Sequence, residues 1–146
     1  MIELCEWQQQ GQFLSINDQQ IFTRQAGDRT APALLLIHGY PSASWDWEGM
    51  WHELTQHYFV VTLDMLGFGF SDKPKNVDYL ISQQADIYEA VLQQFGVSHY
   101  HILAHDYGDT VAQELLARQL DGSSTLCINS VCFLNGGLFP ETHKPL

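Results

Sequence analysis

The chain has 146 residues, the length of one ordinary domain, and a hydrophobic content of 45% that is sufficient for a buried core. Six basic and seventeen acidic residues give it a net charge of -11, and no basic run stands out against this acidic excess. Because nucleic acids and anionic membranes both attract positively charged surfaces, neither is an expected partner of this chain.

The N-terminal sequence MIELCEWQQQ has neither the basic region nor the apolar region of a signal peptide, and no stretch approaches transmembrane length. We therefore expect a cytoplasmic protein. Cys5, Cys127 and Cys132 lack the spacing of a disulfide framework or a metal site, and we expect them to be thiols in a reducing compartment. The sequence implies no metal and no cofactor.

The predicted elements alternate between strands and helices. Residues 12–16 and 20–24 flank Asn17-Asp18 and predict an antiparallel hairpin. Short apolar runs that suit buried parallel strands follow it: Leu34 to Ile37, Phe59 to Leu63, Ile102 to Ala104 and Ile128 to Leu134. Three helical patterns lie between these runs, and each has one apolar face. The first face consists of Trp47, Met50, Trp51 and Leu54, and the second of Ile81, Ala85, Tyr88, Leu92 and Phe95. The third consists of Val111, Ala112, Leu115 and Leu116. This alternation predicts a doubly wound, mostly parallel α/β sheet.

Three stretches follow predicted strands, at the carboxyl ends where α/β sheets carry their chemistry: HGYPSASWDW at 38–47, DMLGFGFSD at 64–72 and AHDYGD at 104–109. In the last stretch, a strand turns into a helix that is predicted to begin around Asp109. The small residues Ala104 and Gly108 permit the close crossing of a nucleophile elbow, and Asp106 stands at the nucleophile's position. The short motif alone leaves open that Asp106 only caps the helix.

The first stretch provides what a nucleophile at Asp106 needs. An oxyanion hole takes one backbone N–H from the residue after the nucleophile and one from the loop after the third strand. Tyr107 and Tyr40 occupy these two positions. Pro41 restricts Tyr40 to an extended backbone, which fixes the direction of the Tyr40 N–H.

Other residues at this edge of the sheet have less specific patterns. We expect His38 to orient the loop after the third strand, and His38, Trp45 and His105 are candidate residues of the substrate pocket. Core packing is an equally good interpretation of Trp45. The turn at 64–72 is interpreted as backbone geometry rather than as catalytic machinery.

HGYP, DMLGFGFSDKP and AHDYGD, in this order and spacing, resemble the α/β-hydrolase superfamily in its epoxide-hydrolase and haloalkane-dehalogenase branch. SDKP, HDYGDTVAQELL and NGGLFPETHKP resemble more closely the mesoderm-specific-transcript subgroup, from about Phe13 onward. In this branch the elbow nucleophile is an aspartate. The resemblance implies that Asp106 attacks an sp3 carbon to form an alkyl ester, which a water activated by a histidine then hydrolyses.

No histidine of the chain is well placed to be that base. The family order is nucleophile, acid and histidine, and the sequence ends just past the sixth predicted strand, where His143 comes too early. Asn135 occupies a position where some relatives carry the acid. We therefore expect residues 1–146 to be the N-terminal part of a hydrolase core, inactive alone, with the cap, the last strands, the acid and the base outside this chain.

Haloalkane dehalogenases usually carry asparagine and tryptophan, which donate to the halide, where this chain has Tyr40 and Tyr107. The resemblance therefore implies a small uncharged substrate, epoxide-like or ester-like, with water as the second reactant. Two alternatives stay open: a haloalkane dehalogenase, and a non-catalytic homologue that acts as a binding protein. The intact elbow and oxyanion loop favour an enzyme, because a binding protein has no need of both.

Overall fold

One six-stranded sheet with helices on both faces forms the protein, and the computed structural model describes its residues 1–137. The strands are β1 (Gln12–Ile16), β2 (Gln19–Ala26), β3 (Ala33–Ile37), β4 (Phe59–Leu63), β5 (His99–His105) and β6 (Cys127–Leu134). The helices are α1 (Leu4–Gln9), α2 (Glu48–His57), α3 (Ile81–Gln94) and α4 (Tyr107–Asp121), and a 3₁₀ turn spans Ser44–Trp47. None of the helices in residues 1–137 is long and apolar enough to cross a membrane.

The sheet is mostly parallel, as the alternation of elements predicts. Its strand order is β1-β2-β4-β3-β5-β6, and only the pairs that involve β2 are antiparallel within this described sheet. Asn17 and Asp18 have positive φ angles of 49° and 63°, which suit the tight turn of the hairpin between β1 and β2. Because β3 lies between β4 and β5, the loops that follow these three strands lie side by side at one edge.

Two hydrophobic cores lie on opposite faces of the sheet. Side chains of β3 alternate between them, with Leu35 and Ile37 in one core and Leu34 and Leu36 in the other. α3 and α4 cover the first core, and α1 and α2 cover the second. β3 is therefore buried on both sides, which explains why it is a continuous apolar run in the sequence.

A buried cation lies in the second core. Arg24 of β2 is 3% exposed, and its guanidinium carbon lies 3.9 Å from the ring centroid of Trp7 and 4.7 Å from that of Trp51. Its Nη2 donates a hydrogen bond to Gln10 Oε1 at 2.8 Å. Burial lowers the pKa of Arg24 to about 10, so the side chain is still charged at neutral pH. Cation–π attraction to two indole rings offsets part of the cost of burying this charge.

The helices differ from the prediction in three places. α1 is an additional helix, and of its six residues only Trp7 is buried, too few to form a periodic apolar face. α4 begins at Tyr107 rather than around Asp109, because the chain turns within the single residue Asp106. In α2, Trp51 is buried while Met50 is 40% exposed, so the apolar face is narrower than predicted.

Residues 138–146 lie outside the described part of the chain. They include His143 and most of the NGGLFPETHKP stretch that contributes to the family resemblance. The prediction that His143 is not the catalytic base therefore stays a prediction.

Candidate active site

The turn between β5 and α4 is sharp and strained. Asp106 has a φ of 53° and a ψ of -116°, a conformation that side-chain-bearing residues rarely adopt. The helix passes close to the sheet, since a Cβ on Gly108 would lie 2.5 Å from the carbonyl oxygen of Ile37 and 2.6 Å from that of His38. Ala104 is fully buried on the strand side of the turn. The small residues thus stand where the sequence predicted a close crossing.

The carboxylate of Asp106 faces the loop after β3. Its Oδ2 accepts a hydrogen bond from the Tyr40 N–H at 2.8 Å. Although Asp106 occupies the N-cap position of α4, its side chain makes no capping hydrogen bond to that helix. A residue that served only as a cap would bond to an N–H of the first helical turn. The cap interpretation therefore does not account for the direction of the carboxylate.

The loop after β3 packs directly against this turn. A Cβ on Gly39 would lie 2.8 Å from Asp106 Cβ and 3.0 Å from the carbonyl oxygen of His105, so a side chain at position 39 would push the loop away. On the other side of Asp106, Tyr107 is the first residue of α4, and its N–H has no acceptor within the helix. The paired use of Tyr40 and Tyr107 as an oxyanion hole stays a prediction.

His38 lies beneath the loop. It is fully buried, its Nδ1 bonds to the carbonyl oxygen of Gly39 at 2.8 Å, and its Nε2 accepts the Met65 N–H at 3.0 Å. One nitrogen donates and the other accepts, so the ring is neutral. Burial lowers the pKa of His38, against the attraction of Asp64 and Asp46 for the proton. His38 therefore orients the loop, and it does not line the pocket as predicted, because its ring is completely covered.

We expect His38→Gln to flatten the loss of stability at acidic pH. Because the pKa of His38 in the folded protein lies below its usual 6.5, the unfolded chain gains a proton first as the pH falls. The stability that the neutral ring contributes above pH 6.5 is then lost by up to about 1.4 kcal/mol per pH unit. Glutamine keeps one donor and one acceptor but does not titrate. Urea unfolding at pH 7.5 and pH 5.0 measures the difference, and equal losses in both proteins would contradict the assignment.

The turn at residues 64–72 is held by a buried carboxylate. Asp64 is 1% exposed, and it accepts the N–H of Ser44 at 2.8 Å and the N–H of Phe70 at 2.7 Å. Gly69 has a φ of +50°, and a Cβ there would lie 2.0 Å from Asp64 Oδ2. This turn therefore supplies backbone geometry, as the sequence predicted, and it ties the loop after β3 to the loop after β4.

A cleft of about 520 Å³ is lined by Tyr40 and Tyr107, the residues of the two predicted oxyanion positions, whereas Asp106 itself is not among its lining residues. Its walls are aromatic: the rings of Phe68 and Tyr107 stack with centroids 6.0 Å apart, Tyr40 meets Phe68 edge-on at 6.3 Å, and Tyr79 adds a further wall. Burial raises the pKa of the Tyr107 phenol, which therefore stays protonated at neutral pH. The lining also includes Lys73, whose ammonium donates to the carbonyl oxygens of Gly69 and Ser71. A mostly aromatic lining with a few polar groups is typical of a site for a small organic molecule.

Two other residues predicted for the pocket, Trp45 and His105, are not among the residues that line this cleft, and their part in a substrate pocket stays a prediction. Trp45 borders a neighbouring cavity of about 330 Å³, and its Nε1 donates to the carbonyl oxygen of Ile2 at 3.1 Å. The Nδ1 of His105 lies against Gly39, 3.0 Å from where a Cβ at that position would be. Phe68 and Tyr79 line the cleft instead, and no periodic pattern marks them in the sequence.

A second buried carboxyl lies one helical turn after Asp106. Asp109 is 1% exposed, and its Oδ1 accepts the Leu134 N–H at 3.4 Å. Burial raises the pKa of Asp109, against the backbone hydrogen bonds from Leu134 and Gly136 that lower it. The carbonyl oxygen of Leu134 in turn accepts the Asp106 N–H at 2.9 Å. Asp109 therefore helps to hold the strained turn against the end of β6, a role that its position at a helix start did not reveal.

The described residues contain no cluster of metal-binding side chains, and two histidines of β5 bond to serine hydroxyls. Across residues 1–137, no group of three or more His, Cys, Asp or Glu side chains is arranged to hold a metal ion. Two of the three histidines of β5 bond to serines, His99 to the hydroxyl of Ser98 and His101 to that of Ser130. A histidine base outside this part of the chain stays an expectation.

Comparison with known proteins gives one family. The model of the alpha/beta hydrolase fold family matches residues 32–142. The mesoderm-specific transcript homolog protein of Bos taurus is 46% identical over 149 residues, which cover 98% of this chain and 44% of that protein. Epoxide hydrolase 1 of Caenorhabditis elegans is 36% identical over 89 residues, which cover 60% of this chain and 22% of that protein. The similarity therefore reaches residues before Phe13, where the motifs alone did not mark it.

A solved structure shows the same arrangement of strands and helices. The crystal structure of a putative ancestral haloalkane dehalogenase superposes with a TM-score of 0.75 at 26% sequence identity. The superposition covers 86% of this chain and 42% of that chain. The chain thus spans less than half the length of these relatives, and it corresponds to one continuous part of a larger fold.

Proposed function

The chain belongs to the α/β-hydrolase family, and on that basis we propose that it carries the nucleophilic part of a hydrolase that acts through an ester on Asp106. In this proposal the chain supplies the nucleophile and the two oxyanion donors, Tyr40 and Tyr107. The acid and the histidine base lie outside residues 1–146. The substrate is a small uncharged electrophile of the epoxide type.

One observation carries the proposal: the strained Asp106 presents its carboxylate to the Tyr40 N–H instead of capping α4. Aspartate side chains are normally ionised at neutral pH, so such a group attacks an sp3 carbon without help from a base. Oδ2 is held by Tyr40, whereas Oδ1 has no hydrogen-bond partner among the described residues. Oδ1 is therefore the oxygen that is free to attack.

The proposed reaction has two steps. In the first, Asp106 Oδ1 forms a bond to a ring carbon of the epoxide while the ring C–O bond breaks, and the released alkoxide takes a proton from water or from an acid of the protein. In the second, water loses a proton to the base and adds to the ester carbonyl, whose oxygen Oδ2 becomes an oxyanion bonded to the Tyr40 N–H. Collapse of this intermediate releases a diol and restores the carboxylate.

The lining of the cleft supports an epoxide over a chloroalkane. A haloalkane dehalogenase needs N–H donors that hold the departing halide, and the side chains beside the two oxyanion positions here are the phenols of Tyr40 and Tyr107. A phenol is protonated at neutral pH and is a hydrogen-bond donor to a developing alkoxide, and burial raises the pKa of Tyr107 further above neutral pH. Similarity to a protein named epoxide hydrolase points the same way.

The proposal is tested by intact mass spectrometry after exposure to matched epoxides and chloroalkanes with the same carbon skeleton. An epoxide adds its whole mass to Asp106, whereas a chloroalkane adds its mass less that of HCl. We expect epoxide adducts to form at least about tenfold faster, the effect of a 1.4 kcal/mol difference in activation free energy, and peptide mapping to place them on Asp106. Faster chloroalkane adducts would identify a dehalogenase, and the absence of both an Asp106 adduct and any substrate turnover would favour a binding protein.

A further inference from the structure

The segment before β1 makes three hydrogen bonds in this region, two with the loop after β3 and one with the first residue of α2. The Ile2 N–H donates to Glu48 Oε2 at 2.9 Å, and the Ile2 carbonyl oxygen accepts the Nε1–H of Trp45 at 3.1 Å. The Nε1–H of Trp7 donates to the hydroxyl oxygen of Ser44 at 3.2 Å. Residues 2–7 are called here the N-terminal strap, because they bond to this loop at both ends, through Ile2 and Trp7.

The strap is itself fixed to the sheet. Trp7 is fully buried, packs edge to face on Trp51 with ring centroids 5.0 Å apart, and lies against the buried guanidinium of Arg24. Arg24 belongs to β2 and Trp51 to α2, so one indole ring connects the strap to two elements of the core. The strap is therefore a rigid support and not a loose end.

Ser44 is the point at which this support enters the loop. It is fully buried, its hydroxyl accepts the Trp7 bond, and its N–H donates to Asp64 Oδ1 at 2.8 Å. The neighbouring residues are joined within the loop, where the Ser42 hydroxyl donates to the Asp46 carboxylate. The part of the loop around Ser44 is thus held from both sides.

The tip of the loop has no such support of its own. Tyr40 is 70% exposed with an edge-on contact to Phe68, and Pro41 is also exposed, so neither side chain is buried in the core. Yet the Tyr40 N–H must stay within hydrogen-bond distance of the Asp106 carboxylate, which lies 66 residues away in the sequence. The order of the tip therefore depends on the residues that flank it, which are His38 with Gly39 on one side and Ser44 on the other.

We propose that the N-terminal strap positions the Tyr40 N–H against Asp106, with Trp7 as the positioning residue and Ser44 as the contact through which it acts. The structural part of this inference stands on the hydrogen bonds alone. Its kinetic part rests on the proposed function. If the Tyr40 N–H serves the oxyanion, loosening the strap slows hydrolysis of the Asp106 ester more than its formation, because charge develops on Oδ2 only in the second step.

The structural part is tested by NMR-detected hydrogen exchange of the Tyr40 amide in the full chain. Trp7→Phe removes the indole N–H and keeps an aromatic ring, and Ser44→Ala removes only the acceptor. Each is expected to lower the protection of the Tyr40 amide by about threefold to tenfold, the effect of one lost hydrogen bond on an equilibrium. Trp51→Phe is the matched control, since it removes similar volume from the same cluster and leaves both partners of the Trp7–Ser44 hydrogen bond in place.

The results separate positioning from general loosening of the core. Lower Tyr40 protection in both Trp7→Phe and Ser44→Ala, with Trp51→Phe close to wild type, supports the inference. Unchanged protection in Ser44→Ala, or an equal loss in Trp51→Phe, overturns it. Ser44→Ala is the decisive variant, because it changes one buried oxygen and is less prone to unfold the protein than a change at Trp7.

The kinetic part is tested in the complete protein by following the epoxide adduct with time. Trp7→Phe and Ser44→Ala are expected to slow decay of the adduct by about tenfold while changing its rate of formation by less than about twofold. Equal effects on both rates would overturn the kinetic part. If no adduct forms in any protein while Tyr40 protection still falls in the variants, the proposed function fails and the positioning role of the strap stands.

Discussion

An Asp106→Asn variant is expected to lose covalent capture of epoxides by at least about 10³-fold, because an amide oxygen is a far weaker nucleophile than a carboxylate. The fold should survive. Asparagine is nearly isosteric with aspartate, tolerates positive φ angles, and still offers an oxygen to the Tyr40 N–H. Intact mass spectrometry measures the adduct, and circular dichroism checks the fold.

The control for the lost negative charge is Asp121→Asn. Asp121 is the exposed last residue of α4, at the far end of the helix that Asp106 precedes. Its replacement removes the same charge from the same helix and should leave adduct formation within about twofold of wild type. Turnover that persists in Asp106→Asn without any adduct would show that Asp106 is not the nucleophile.

A Gly108→Ala variant is expected to lose about 3 kcal/mol of stability, at the upper end of what one inserted methyl group costs in a close-packed site. The new Cβ would lie 2.5 Å from the Ile37 carbonyl oxygen and 2.6 Å from that of His38. Both atoms belong to the backbone of the central strand and the residue that follows it, so neither can rotate away as a side chain would. α4 must shift away from the sheet, and the midpoint of urea unfolding measures the cost.

Gly49→Ala is the matched control for this substitution. Gly49 lies in α2, and a Cβ there meets nothing within 4 Å. Because alanine favours helix over glycine by up to about 1 kcal/mol, this variant should be neutral or slightly more stable. Equal effects of the two substitutions would mean that the crossing at Gly108 is not tight.

The strands were predictable because most of them are buried on both faces. The apolar run Phe59 to Leu63 coincides with β4 residue for residue, since every position of that strand is buried. α1 was not predictable from a pattern, because only Trp7 of its six residues is buried. The start of α4 was missed by two residues, since a strained turn at Asp106 replaces the looser connection that the sequence suggests.

The sequence predicted which two residues meet at the centre of the candidate site, but not which residues line the cleft beside them. The motifs placed Tyr40 and Asp106 at neighbouring strand ends, and the structure joins them at 2.8 Å. His38 is fully buried instead of lining a pocket, because a loop motif does not say which of its side chains turn inward. Phe68 was missed, since it lies in a turn where no periodicity separates a cleft wall from a core residue.

The strand order determines which strands must be paired before the candidate site can form during folding. β3 lies between β4 and β5 in the sheet, and β5 is the last of these three strands in the sequence. The Tyr40–Asp106 hydrogen bond therefore requires that β5 is already paired with β3. Contacts over such a sequence separation close large loops, which is entropically costly. A chain that has completed only its first four strands therefore has the donor without the carboxylate, and the bond between them marks completion of the centre of the sheet.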